Sequence, residues 1–178
     1  MGEPPSPTAL PAGATSPSGV AAVVVGADEQ AELPVDVARW VDLARAVLEA
    51  EGRGGELTLT FVDREEIAAL NAEHLGKDGP TDVLSFPLDD EDVPPGVPVL
   101  LGDVVVCPAV AAEQAATHAG TVDDELALLV VHGVLHVLGH DHAEPEEAAV
   151  MRARELALLQ AHHWHGPPPA GFRQEHPA

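Results

Sequence analysis

Residues 126–142 read Leu-Ala-Leu-Leu-Val-Val-His132-Gly-Val-Leu-His136-Val-Leu-Gly139-His-Asp-His142, an apolar run that ends in three histidines spaced four and then six apart. On a helix, positions i and i+4 share a face, so His132 and His136 present two imidazoles to one point. Gly139 then ends the helix and lets His142 swing back as a third ligand. This is the pattern of a three-histidine metal site with an open fourth position, set at the end of a central buried helix. With ten histidines in 178 residues, a lone His-x-x-x-His pair would carry little weight. The third histidine, the glycine and the apolar setting carry the argument, because three neutral imidazoles converging among leucines lack obvious partners unless a cation ties them together.

Around this helix the pattern alternates. Val20 to Val25 reads as a strand, and Pro34 opens a helix to about Ala50 with Val37, Val41, Ala44 and Leu48 as its apolar positions. Glu56 to Val62 alternates as a half-buried strand, and Asp63, with Glu66 three residues on, N-caps a short helix to about Asn71. Asp82 to Phe86 and Val99 to Val106 make two more strands, separated by the acidic, proline-punctuated loop Asp89 to Pro98. Helices follow from Pro108 to about Ala119, Asp123 to Leu138 and Pro145 to about His162. The expectation is an α+β fold, a small mixed four-stranded sheet packed against several helices. Composition marks residues 1–19 and 164–178 as disordered tails rich in proline and small residues, leaving one domain at 20–163. His162, His163 and His165, with Trp164, read as a frayed helix end where the second tail begins.

The N-terminus lacks the basic and apolar regions of a secretory signal, and no stretch is long and charge-free enough to span a bilayer, so no membrane is expected. A single cysteine, Cys107, excludes an intrachain disulfide and fits a reducing cytoplasm; beside Pro108 it reads as a small buried apolar residue. The net charge of −22, with one lysine and seven arginines, argues against broad nucleic-acid affinity and against DNA as a partner.

The histidine motif overlays His-Glu-x-x-His-x-x-Gly-x-x-His of metzincin proteases except at position 133, where Gly replaces the glutamate that serves as general base. Loss of that carboxylate weighs against a protease. Met151, which imitates a methionine turn, reads as core.

The run HGVLHVLGHDH at 132–142, LNAEHLGKDGPTDVLSFP at 70–87 and LGDVVVCPAVAAEQA at 101–115 together resemble the YbeY family of bacterial metal-dependent endoribonucleases. The resemblance runs from about Val20 to His163 with all three motifs in order. It implies a zinc ion on His132, His136 and His142, and cytoplasmic work on single-stranded or ribosomal RNA: maturation of the 3′ end of small-subunit rRNA and ribosome quality control, alongside the small ribosomal subunit or a ribosomal protein. One departure stands out. Where many members carry LN-x-x-Tyr-Arg, this chain has His74 and Leu75, with Lys77 the nearest cation.

Three imidazoles leave a bound ion its full double charge, able to polarise a phosphoryl oxygen and to bring water to a pKa near about 7; they suit Zn, Ni, Cu or Fe alike. Asp141, beside His142, is expected to orient a ligand imidazole, to accept a proton, or merely to cap the turn. Thr81, Asp82 and Ser85 are the next residues expected to line the site, with Asp82 and Ser85 on opposite strand faces. Arg64, Lys77, Arg152 and Arg154 are the cations available to phosphate. Two other readings stand beside the ribonuclease: a zinc-dependent hydrolase of another substrate, and a ribosome-associated zinc protein with little catalysis.

Overall fold

The computed structural model describes residues 20–88 and 94–174; the expected N-terminal tail and part of the acidic loop lie outside them. Its strands are β1 (Ala22–Asp28), β2 (Gly55–Phe61), β3 (Val83–Pro87) and β4 (Leu100–Val106), and its helices α1 (Val37–Ala50), α2 (Arg64–Leu75), α3 (Pro108–Gln114), α4 (Val122–Val137) and α5 (Pro145–Leu159). The sheet order is β1-β2-β4-β3, with β1, β2 and β4 parallel and β3 antiparallel at the edge. The fold is α+β with a mixed four-stranded sheet, as the sequence pattern implies.

Helix α1 is the crossover between β1 and β2. It buries Trp40, Leu43, Ala44, Val47 and Leu48, a stripe one step round from the sequence reading. Val37 and Val41 instead close over Gly26, where an added Cβ would fall 2.7 and 2.4 Å from their methyls. Helix α4 packs beside α1 on the same sheet face, over β4 and β3, and is buried almost all round, from Leu126 through Val131 and from Gly133 to Leu135. Its N-terminus is capped by Thr121, whose hydroxyl accepts from Asp124 N at 3.1 Å, and three acidic residues occupy its first turn, where the helix dipole favours them. The other sheet face carries a smaller core of Val62, Ile67, Leu84, Val105, Cys107 and Ala109.

Cys107 is fully buried there, and burial raises its thiol pKa. It is an apolar core residue and not a thiolate. Helix α2 extends four residues past the expected Asn71 to Leu75, where left-handed Gly76 (φ 65°) stops it. Helix α5 widens into a π turn at Gln160–Trp164.

Residues 164–174, read from composition as tail, lie against the body of the domain. Trp164 and Phe172 pack on the main core with their rings 4.7 Å apart. Residues 175–178 lie outside the described residues.

Candidate metal centre

Helix α4 delivers His132 and His136 from successive turns and then ends in a Schellman cap. Gly139 N donates to His136 O at 3.0 Å and His140 N to Leu135 O at 3.0 Å, with Gly139 at φ 102° in the region that favours glycine. Asp141 completes the reversal, its Oδ1 accepting from His142 N at 2.7 Å and Ala143 N at 3.3 Å. The chain therefore doubles back and places His142 over the helix end. Each of the three imidazoles offers one nitrogen, and these nitrogens lie within 4.8 Å of one another; the ring centroids are 4.5, 4.8 and 5.6 Å apart.

Two observations fit this cluster to a divalent ion. His136 is pushed down to about 4, first by burial and then by the charges its neighbours His132 and His142 would carry, so at neutral pH it is a free base with a lone pair to donate. The Nδ1 of His132 is engaged by Glu155 Oε2 at 2.7 Å. This carboxylate fixes the ring's orientation through Nδ1, so that Nε2 is the nitrogen that could hold an ion, the carboxylate–histidine pairing common behind metal ligands. Glu155, on α5, is 3% exposed. It belongs to the site, and the sequence reading missed it; its signal was a carboxylate in register with Met151 and Leu158 on the apolar stripe of α5.

The imidazoles open into a cleft of about 960 Å³ between α4, α5 and β3, and Lys77, Asp82, Ser85, Arg152 and Gln174 also line it. Ser85 faces α4 and donates its hydroxyl to Gly133 O at 3.0 Å. Asp82 stands just before β3, its Oδ1 accepting from Val83 N at 2.8 Å and its Oδ2 from Gln114 Nε2 at 2.7 Å. Although strand alternation separates them, both residues reach this cleft. Thr81 lines it too and hydrogen-bonds Asp82 at 3.3 Å.

Behind Asp82 lies a polar chain that sequence reasoning did not foresee. Gln114 Nε2 also donates to Glu125 Oε1 at 2.9 Å. Glu125 is fully buried, and His118 Nδ1 meets its carboxylate at 2.8 Å while Ala119 N donates to it at 3.1 Å. These residues come from α3, the turn after it and α4, so only the folded chain brings them together.

The four cations divide. Lys77 and Arg152 line the cleft. Arg64 pairs with Glu32 and Glu113, and Arg154 with Glu51, away from it. Leu75 also lines the cleft, 52% exposed, where a larger cation would reach solvent and substrate alike.

Gly133 has a structural cause. A Cβ there would stand 2.6 Å from Val104 Cγ1 and 3.3 Å from Ser85 Oγ. Position 133 faces the sheet and not the metal cluster, so no glutamate fits at this position without lifting α4 off β4.

A family model described as endoribonuclease YbeY matches residues 26–163. The chain belongs to the YbeY endoribonuclease family. Curated YbeY relatives include the endoribonuclease YbeY of Salinispora tropica, 47% identical over 136 residues covering 70% of this chain and 87% of that one. Another, from Halorhodospira halophila, is 46% identical over 129 residues, covering 70% and 80%. Among solved structures, the solution structure of TM1509 from Thermotoga maritima superposes with a TM-score of 0.53 at 26% identity, covering 80% of this chain and 92% of that one. The YbeY match spans all three histidines, Glu155 and the cleft-lining strand, and stops before the segment that carries Gln174. Among the described residues no helix is long and apolar enough to cross a membrane.

Proposed function

We propose that this chain is a metal-dependent endoribonuclease that cuts single-stranded RNA, acting in the cytoplasm on ribosomal RNA at the 3′ end of the small-subunit species and in ribosome quality control, with the small subunit or a ribosomal protein as partner. The observation that carries the reading is the convergence of three imidazoles on one wall of an open cleft that also holds Lys77 and Arg152, in a chain of net charge −22. Family membership supports RNA as the substrate class, and the ribosomal assignment rests on the resemblance of the three motifs.

His132, His136 and His142 would hold the ion; a neutral nitrogen donor set suits Zn, Ni, Cu or Fe alike, and zinc is the reading that the family resemblance supports. When bound, it supplies a Lewis acid that polarises a phosphoryl oxygen and makes water acidic near neutral pH. The remaining work falls to side chains. Lys77 and Arg152 hold the phosphate backbone across the cleft. Asp82, its carboxylate fixed by Val83 N and Gln114, accepts a proton from the attacking group or orients it. Ser85, already donating to Gly133 O, keeps lone pairs to accept from a ribose hydroxyl. Asp141 acts through the backbone of His142, holding that ligand's loop.

The test is cleavage of a single-stranded rRNA fragment by metal-reconstituted wild type beside His136→Ala purified identically, with product ends identified by mass. Cutting by wild type alone supports the reading, and a cyclic phosphate or a 5′-phosphate end names the nucleophile. Equal cutting by both proteins refutes it. No cutting by either favours the ribosome-associated zinc protein, the reading to which exposed Leu75 and the acidic surface point.

A further inference from the structure

Beyond the family match, which ends at residue 163, the chain does not leave the site. His165 turns it in the left-handed region (φ 54°), and Gly166 N closes the π turn on Gln160 O at 3.0 Å. Trp164 anchors the start, its Nε1 donating to the buried carboxylate of Asp124 at 2.9 Å, and Phe172 packs edge-on against its ring. The run Pro167-Pro168-Pro169 between these anchors has no backbone N–H to satisfy and little freedom to lose on ordering. Phe172 N then donates to Pro169 O at 3.1 Å and Arg173 N to His118 O at 3.0 Å. The last described residue, half-buried Gln174, reaches the metal cleft. Its Nε2 donates to Arg152 O at 2.8 Å and to Glu155 Oε1 at 3.4 Å.

Glu155 is the carboxylate whose other oxygen holds His132. A carboxylate this deeply buried needs partners on both oxygens to keep its charge and its rotamer, and Gln174 supplies one for Oε1. We propose that residues 164–174 form a strap, lying outside the family-matched region, that completes the metal centre from behind: Gln174 is a positioning residue acting through Glu155 on His132. The proposal rests on the reading of the three imidazoles as a metal site. Without the strap Glu155 opens to water on one side, and His132 loses part of the constraint that aims Nε2 at the ion.

The experiment titrates metal-free wild type, Gln174→Ala and Gln174→Glu with Zn²⁺ against a chromophoric chelator, and with Co²⁺ by its visible spectrum. The melting temperature of each metal-free protein is read alongside, and Glu155→Gln serves as reference. Loss of the direct partner of a ligand histidine costs about 10–100-fold in affinity, and Gln174→Ala, one bond further out, is expected to cost about threefold to tenfold. Gln174→Glu sets one carboxylate against another and is expected to cost more, with a shifted Co²⁺ spectrum. Dissociation constants and spectra unchanged in both Gln174 variants, while Glu155→Gln weakens binding, overturn the strap proposal alone, whatever happens to the melting temperatures. A wild type that takes up neither ion overturns the metal reading itself.

Discussion

Replacing Gly133 with alanine tests why this helix carries glycine between its first two imidazoles. The added methyl would lie 2.6 Å from Cγ1 of Val104 and 3.3 Å from Ser85 Oγ. Val104 is a fully buried, β-branched strand residue whose rotamer cannot simply turn away. Overpacking of this kind costs about 1–3 kcal/mol. Displacing Ser85 from Gly133 O forfeits a hydrogen bond worth about 1 kcal/mol. Against both stands the gain from removing glycine from a helix interior, about 1 kcal/mol. The last two terms cancel, the packing cost remains, and Gly133→Ala is expected to be about 1–3 kcal/mol less stable than wild type. The assay is urea unfolding with chelator present, so that metal linkage does not mask the difference. Gly133→Glu, which buries a charge in the same gap, is expected to fall further and to gain no peptidase activity. A Gly133→Ala protein as stable as wild type, or more so, would show that α4 has room to move and that the close approach to Val104 is not what excludes a glutamate.

Other consequences are open to measurement. Glu155→Gln keeps the shape of the group behind His132 but removes its charge; metal affinity by chelator competition is expected to fall about 10–100-fold, and an unchanged value would make Glu155 a packing residue only. In metal-free protein, His136 has a folded pKa near 4 against its ordinary 6.5, so the unfolded chain takes up that proton first as pH falls. Stability is therefore unaffected by this group above about 6.5 and declines toward about 4, and the urea midpoint of wild type should drop more over that window than the midpoint of His136→Asn. Leu75→Arg places a guanidinium in the cleft, and binding of single-stranded RNA should tighten and the log-affinity slope against log salt should steepen by about 0.7, the increment of one phosphate contact; an unaltered slope would mean that position 75 meets no backbone. Gln114→Ala withdraws the donor that fixes Asp82 and bridges it to Glu125, and RNA cleavage should fall while Zn²⁺ affinity stays at the wild-type value.

The three-histidine cluster was legible because its information is local. Two share a helix face by spacing alone, and the third returns through a glycine-dependent cap whose hydrogen bonds join only near neighbours in the chain, such as His140 N to Leu135 O. The sheet was legible for the same reason, since alternation in β2 and the apolar run Val104–Val106 at the end of β4 report burial on one face or two. What escaped was the set of polar partners behind the cleft. Glu155 meets His132 across 23 positions of sequence, and Gln114 meets Asp82 across 32, so periodicity says nothing of either pairing. Each left a fainter trace as a polar residue on an apolar face, a pattern that calls for a partner without naming it. The tail was misjudged for a different reason: proline and glycine content reports the absence of regular hydrogen bonding, while docking depends on isolated anchors such as Trp164 and Phe172 that composition averages away.

The acidity of the chain looks opposed to an RNA substrate, but the placement of its few cations changes that balance. Of the eight basic side chains, Arg39, Arg45, Arg64 and Arg154 are paired to carboxylates on the surface. Lys77 and Arg152 instead face the imidazole cleft, where a divalent ion would add two further positive charges. Exposed carboxylates beyond a Debye length of about 8 Å are largely screened at physiological salt, whereas groups inside a cleft interact through less water and are screened less. A phosphate already in the cleft therefore responds to Lys77, Arg152 and the ion more than to the net charge, while a polyanion approaching from solution meets the acidic surface first. Such a protein would cut RNA slowly on random encounter and faster once a partner has delivered the strand. The comparison that decides this is the rate on free fragment against the rate on the same sequence held in small ribosomal subunits: a free-fragment rate that equals the subunit rate at physiological salt would refute it.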